Sequence, residues 1–245
     1  MARLVATVAY AGGRALHGQA PEAVRLLEGA HDELMRVDPL VRAQELCHAA
    51  LTWVWLEGHD RAAALLDRVT EAARANGALG ILPQALGIRA ELDYRTGRWH
   101  DARAAAAESL RLAAETRSRH LYARFFAGRL DAVQGRSAES LRHADATDEV
   151  AQRLGIGCMA VYTGHQRGLL ALSTGDTAGA VACLETVRAL PAVRQIREPR
   201  VVPWVFDLAE AYVRTGRTRA AEELLAAPEA AGGGLWAGAA GARCR

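Results

Sequence analysis

Lysine is absent from this chain: all thirty basic residues are arginine, and Asn76 is the sole asparagine. Without lysine there is no G-x-x-x-x-G-K-[ST] phosphate loop, no Schiff-base amine and no S-x-x-K nucleophile pair, so several enzyme classes drop out together. Cysteine is sparse. Cys47, Cys158, Cys183 and Cys244 lie far apart and form no C-x-x-C pair, which signals neither a zinc site nor a disulfide framework and fits a reducing cytoplasm. Neither sign of charge dominates, because the formal net charge is only +2 and both signs are interspersed. No basic stripe follows from such a pattern, and direct nucleic-acid binding by this chain alone is not expected. Long apolar runs are also missing. No segment reads as membrane-spanning, and the opening "MARLVATVAYAGG" reads as the first helix of the fold and not as an export leader.

Hydrophobic residues make up 51% of the chain, enough for a sizeable core, and their order is periodic. Gly18, Gly58, Gly97, Gly135, Gly175 and Gly216 each close one apolar-periodic segment and precede another, at spacings of 40, 39, 38, 40 and 41 residues. Five residues after each glycine stand Ala23, Ala63, Ala102, Ser140, Ala180 and Ala221, all small, where two helices can approach closely. Seven residues before it stand Ala11, Leu51, Ala90, Gly128, Gly168 and Ala209, with Leu51 the one large exception. Each unit therefore reads as helix, turn, helix, the glycine stopping the first helix in a left-handed conformation. Pro and Gly in "ANGALGILPQ", "RLGIGCMA" and "REPRVVPW" punctuate the joins between units. The expectation is an all-α superhelix of about six helix pairs over residues 1–227, with 228–245 a Gly/Ala-rich disordered tail.

"YRTGRWHDARAAAAESL", "LSTGDTAGAVACLETV" and "VRTGRTRAAEELL" resemble the tetratricopeptide repeat, in units somewhat longer than usual. "ELDYRTGRWHDARAAAAESLRLAAET" and "GRLDAVQGRSAESLRHADATDEVAQRLGIG" resemble, more specifically, the helical-repeat region of the large MalT-like LuxR-type regulators of actinobacteria, over roughly residues 5–227. That resemblance implies a sensing or scaffolding region which, in the family, lies between a P-loop ATPase and a helix-turn-helix. Neither of those motifs is found here, so ATP hydrolysis and DNA binding are carried over to no residue. A stand-alone tetratricopeptide-type scaffold unconnected with transcription is the other reading.

Possible chemistry is thin. Trp99, His100 and Asp101 could be a His–carboxylate pair, but neighbours on a helix diverge and no nucleophile supports them; they read better as a packed Trp and a first-turn Asp. "GIGCMA", Gly155 to Ala160, matches a loose dinucleotide fingerprint without the strand that should precede it. No histidines pair as H-x-x-x-H or H-E-x-x-H, so no enzyme activity, cofactor or metal is expected. Cys158 and Cys183 should pack as small apolar residues, and Cys244 should lie exposed in the tail.

In tetratricopeptide-like arrays the first helix of each pair lines the concave face. Carrying that register over places His48, Thr52, Glu91, Arg95, Phe125, Arg129, His165, Ser173, Phe206, Glu210 and Arg214 inward, with Tyr122 and Tyr162 extending the same face. Aromatics among Arg and Glu suit a groove for a peptide, a protein or a small-molecule inducer. Phe125 and Phe206 could instead fill contacts between repeats. The exposed ends of such an array would favour self-association.

Overall fold

The computed structural model describes residues 2–116 and 121–226, and among them it contains thirteen α-helices and no strand. The expected first helices of the six units are α1 (Ala2–Leu16), α4 (Ala43–Trp55), α6 (Leu82–Arg95), α8 (Leu121–Val133), α10 (Met159–Ser173) and α12 (Trp204–Arg214). Their partners are α2 (Ala20–Gly29) with the short α3 (His31–Arg36), α5 (His59–Ala75), α7 (Trp99–Glu115), α9 (Ser137–Leu154), α11 (Thr177–Ala189) and α13 (Thr218–Ala226). Each first helix packs on its own partner, and each also packs on the first helix of the following pair. A first helix is therefore enclosed on several sides. α4 buries ten of its thirteen residues, whereas α9, a partner helix, buries four of eighteen.

The turns are built as the glycines suggest, with one correction. Gly18, Gly97, Gly135, Gly175 and Gly216 have φ between 67° and 82°, while in the second unit Glu57 takes the left-handed conformation at φ 62°. The six-to-one hydrogen bond of the turn moves with it: Gly58 N–H donates to the Trp53 carbonyl at 2.9 Å, as Arg98 N–H donates to Asp93 at 2.8 Å in the third unit. Gly58 is there for a different reason. A Cβ at that position would stand 2.4 Å from Cε3 of Trp53, so the indole demands a bare backbone.

This one-residue shift explains the one irregularity of the sequence alignment, Leu51. Counted from Glu57, the small residue after the turn is Ala62, fully buried, in place of the half-buried Ala63. Counted back, it is Ala50, also fully buried, in place of Leu51. Every unit then has a small residue at both positions. What those residues permit is visible at Gly168, where an added Cβ would lie 2.5 Å from Cγ of the fully buried Leu184 on the partner helix.

Among the described residues the longest join lies between α11 and α12. Between α11 and α12 the chain makes a 3-10 turn (Pro191–Gln195) and then runs non-helically to Pro203. "REPRVVPW" is more than punctuation. Arg197 and Glu198 N–H both donate to the Leu16 carbonyl at the end of α1, at 2.7 and 3.2 Å. Ile196, Glu198, Val201 and Val202 are each at most 6% exposed. We call residues 196–203 the strap, because they tie the sixth unit to the first.

Candidate functional site

Enclosing the first helices forces their polar residues inside. Burying a charge without a partner is severely unfavourable, so these residues must pair with one another, and the units bring the partners together. Glu91 and Arg129 occupy the same place in successive units, six residues before the turn glycine. One Glu91 carboxylate oxygen accepts from Arg129 Nη1 at 2.9 Å and from Arg95 Nε at 2.5 Å, with Glu91 only 2% exposed. The Arg129 guanidinium also lies over the Tyr94 ring, 4.6 Å from its centroid.

Burial pushes the Glu91 carboxyl up, but the Arg129 and Arg95 guanidiniums beside it outweigh that and hold it below the ordinary carboxylate value. For Arg129, burial opposes the charge while Glu91 and Tyr94 support it, and the balance is a raised pKa. Arg95 moves down because burial outweighs its share of Glu91. Burial drives the Tyr162 phenol far above its usual range. Glu91 is the ionised centre of a two-arginine clasp.

A second pair adjoins the first. His165 Nε2 is 2.5 Å from Asp207 Oδ2, while His165 Nδ1 is buried and, among the described residues, has no hydrogen-bond partner, as is the case for Arg129 Nε. Asp207 lies close enough to Arg129 to stabilise its charge. Phe125 bridges to Tyr162 edge-on at 5.1 Å, and Tyr122 stacks on Phe126 at 6.0 Å. Of the thirteen inward positions, Glu91, Arg95, Tyr122, Phe125, Arg129, Tyr162 and His165 thus fall in one zone across α6, α8 and α10.

Among the described residues no hydrogen bond or ion pair joins the side chains of the other inward positions to the clasp or to the His165–Asp207 pair. His48 and Thr52 belong to the unit whose register is shifted; Thr52 Oγ1 donates to the His48 carbonyl, and a Cβ on Gly12 of α1 would lie 3.4 Å from it. Glu210 and Arg214 pair with each other at 2.5 Å on the surface of α12, Phe206 is half-buried beside Asp207, and Ser173 is exposed. Sequence reasoning missed Asp207 and the strap residues. For Asp207 a signal existed, since it stands 42 residues after His165, about one unit along the chain.

The zone is covered. Arg95 Nη2 donates to the Val201 carbonyl at 3.4 Å, and Val201 and Val202 join the same apolar core as Phe125 and Phe126. Arg200 is held by Glu198 at 2.7 Å and also feels the charge of Glu57, the residue with the left-handed backbone. The strap thus lies against Arg95 of α6 and shares the apolar core beside this zone.

The remaining motifs have plain structural roles. Trp99 meets Tyr94 edge-on at 5.4 Å, and His100 and Asp101 are exposed in the first turn of α7. Gly155 is the left-handed cap of α9, so the "GIGCMA" stretch joins two helices. Cys47 is buried with its thiol pushed up to about 12, and Cys158 and Cys183 are half-buried. Cys244, Trp236, His120 and the tail 228–245 lie outside the described residues. Among the described residues no three His, Cys, Asp or Glu side chains are placed to hold a metal, and no helix is long and apolar enough to cross a membrane. No family model, curated protein or solved structure matches the chain.

Proposed function

We propose that the chain is a noncatalytic, tetratricopeptide-like helical-repeat module, the sensing or scaffolding part of a LuxR-type regulator. The observation that carries the repeat reading is the packing order: each first helix lies on the next, and the small residues around all six turns recur in register once the second turn is counted from Glu57. The sequence resemblance around Gly97 and Gly135 supplies the regulator.

In this reading the Glu91 clasp and the His165–Asp207 pair are the inner face of the superhelix, and the strap is its resident occupant. Any partner or inducer acts by favouring the strapped or the unstrapped curvature. A ligand shifts such an equilibrium only through a difference in affinity for the two states, so the signal must enter where they differ, at the strap. A domain joined to either end of the array would feel the change. Val5 and Tyr10 on α1, with Val213 and Leu225 in the last pair, leave exposed apolar side chains near both ends for a neighbouring domain or a second copy to cover.

Sequencing the DNA on both sides of the coding region tests the regulator assignment. The expected result is a P-loop sequence upstream or a helix-turn-helix sequence downstream, in any frame. Intact, unrelated genes on both sides would contradict it and leave a stand-alone scaffold.

A further inference from the structure

The strap region has a second side. There the 3-10 turn and the strap, together with the end of α11, α12 and α13, wall a cavity of about 590 Å³. Its walls include Leu190, Pro191, Ile196, Trp204, Val205 and Leu224, all apolar. Three guanidinium-bearing residues, Arg188, Arg194 and Arg197, also line it, each exposed, and among the described residues no carboxylate does.

These three arginines stand out against their surroundings. Arg200, Arg214, Arg217 and Arg219, from the same part of the chain, each reach a carboxylate within 3.0 Å. Among the described residues Arg188, Arg194 and Arg197 form no ion pair; Arg197 Nε reaches only the Arg194 carbonyl, at 3.3 Å. Three like charges gathered around one apolar cavity attract an anion, and guanidiniums bind carboxylate and phosphate oxygens with a matching fork of donors. The volume falls in the range of roughly 300–1,000 Å³ typical of small-molecule sites.

We propose that this cavity binds a small organic anion, an apolar body carrying one carboxylate, phosphate or sulfonate group. The apolar body fills the space against Trp204 and Leu224, and the anionic group meets Arg188, Arg194 and Arg197 at the mouth. Arg197 also sits on the strap, and its backbone N–H is bonded to Leu16, so an occupied cavity holds the strap on the first unit. Only this last, regulatory step rests on the repeat-module reading; the binding site stands without it.

Fluorescence titration of the full chain with anilinonaphthalene sulfonate, and with its uncharged parent phenylnaphthylamine, tests the site. The sulfonate is expected to saturate at one molecule per chain and to bind about tenfold more tightly than the parent. Arg188→Gln with Arg194→Gln should abolish that preference while leaving phenylnaphthylamine binding and the melting temperature unchanged, and octanoate should displace the sulfonate. Equal affinity for the two dyes, a preference that survives in the variant, or binding that never saturates would overturn the proposal. A polyglutamate peptide displacing the dye better than octanoate would overturn the small-anion assignment in favour of an acidic peptide. Each of these outcomes is independent of the genes that flank the coding region.

Discussion

Glu91→Ala is expected to lower the stability of the folded chain by about 3–5 kcal/mol, because it strands two guanidiniums in the interior. Arg129 is 5% exposed and Arg95 is covered by the strap, so neither can turn to water without opening the structure. For a chain of this length the loss corresponds to a fall of roughly 6–20 °C in melting temperature. Replacing all three, Glu91→Leu with Arg95→Met and Arg129→Met, should restore most of it, since apolar side chains of similar volume fill the space without a charge to desolvate. The two results together separate a charge effect from a loss of packing volume.

Acid should act on the same clasp. The Glu91 carboxyl is depressed in the folded chain, so the native state holds this proton less tightly than the unfolded chain does. Its stabilising contribution is complete above the ordinary carboxylate range and is lost as pH falls through that range towards the depressed native value. Stability of the wild-type chain should therefore fall more steeply with acid than that of the triple variant.

Val202→Asp should release the strap. Val202 is 1% exposed in an apolar setting, and an unpaired carboxylate there costs on the order of 3 kcal/mol, more than the few contacts of an eight-residue segment return. Arg200 then loses its shelter beside Glu198. Cleavage by trypsin after Arg200 should accelerate roughly a hundredfold, following the local opening free energy, while helix content stays near that of the wild type. Unchanged cleavage at Arg200 would show that the strap is not held by this contact.

Much of the helix order is legible in the sequence because turns and helix starts are local. A glycine in the left-handed region, a small residue five positions on and apolar pairs beyond it need no knowledge of the rest of the chain. The second unit shows the limit of that reasoning. Gly58 looks like the other turn glycines, but it answers to the Trp53 indole while Glu57 makes the turn, and only the space around the indole distinguishes the two roles.

The polar zone was half legible. Glu91 and Arg129 share a repeat position, so their pairing follows from packing one first helix on the next, whereas Asp207 stands one residue off Phe206, outside the inward register. The strap left no periodic trace. "REPRVVPW" has the look of a loop, and nothing in its pattern tells that its valines pack among residues from the other end of the chain. Contacts between segments about 180 residues apart in sequence depend on how all the intervening helix pairs pack, which no single pair encodes.

That first-to-last contact is the centre of the account, and a crosslink tests it directly. A Cβ built on Gly18 stands near that of Arg197, at 3.6 Å, inside the roughly 3.5–4.5 Å that a disulfide needs. Gly18→Cys with Arg197→Cys, made in a chain whose Cys158, Cys183 and Cys244 are replaced by serine, leaves only the buried Cys47 thiol as a competitor. The left-handed backbone at position 18 will cost about 1–2 kcal/mol, which the folded chain must tolerate for the test to be run. Under mild oxidation of the folded monomer, peptide mass spectrometry should find positions 18 and 197 joined within one chain in nearly every molecule. Two thiols that stay free in a folded, monomeric chain would contradict the contact between the strap and the end of α1.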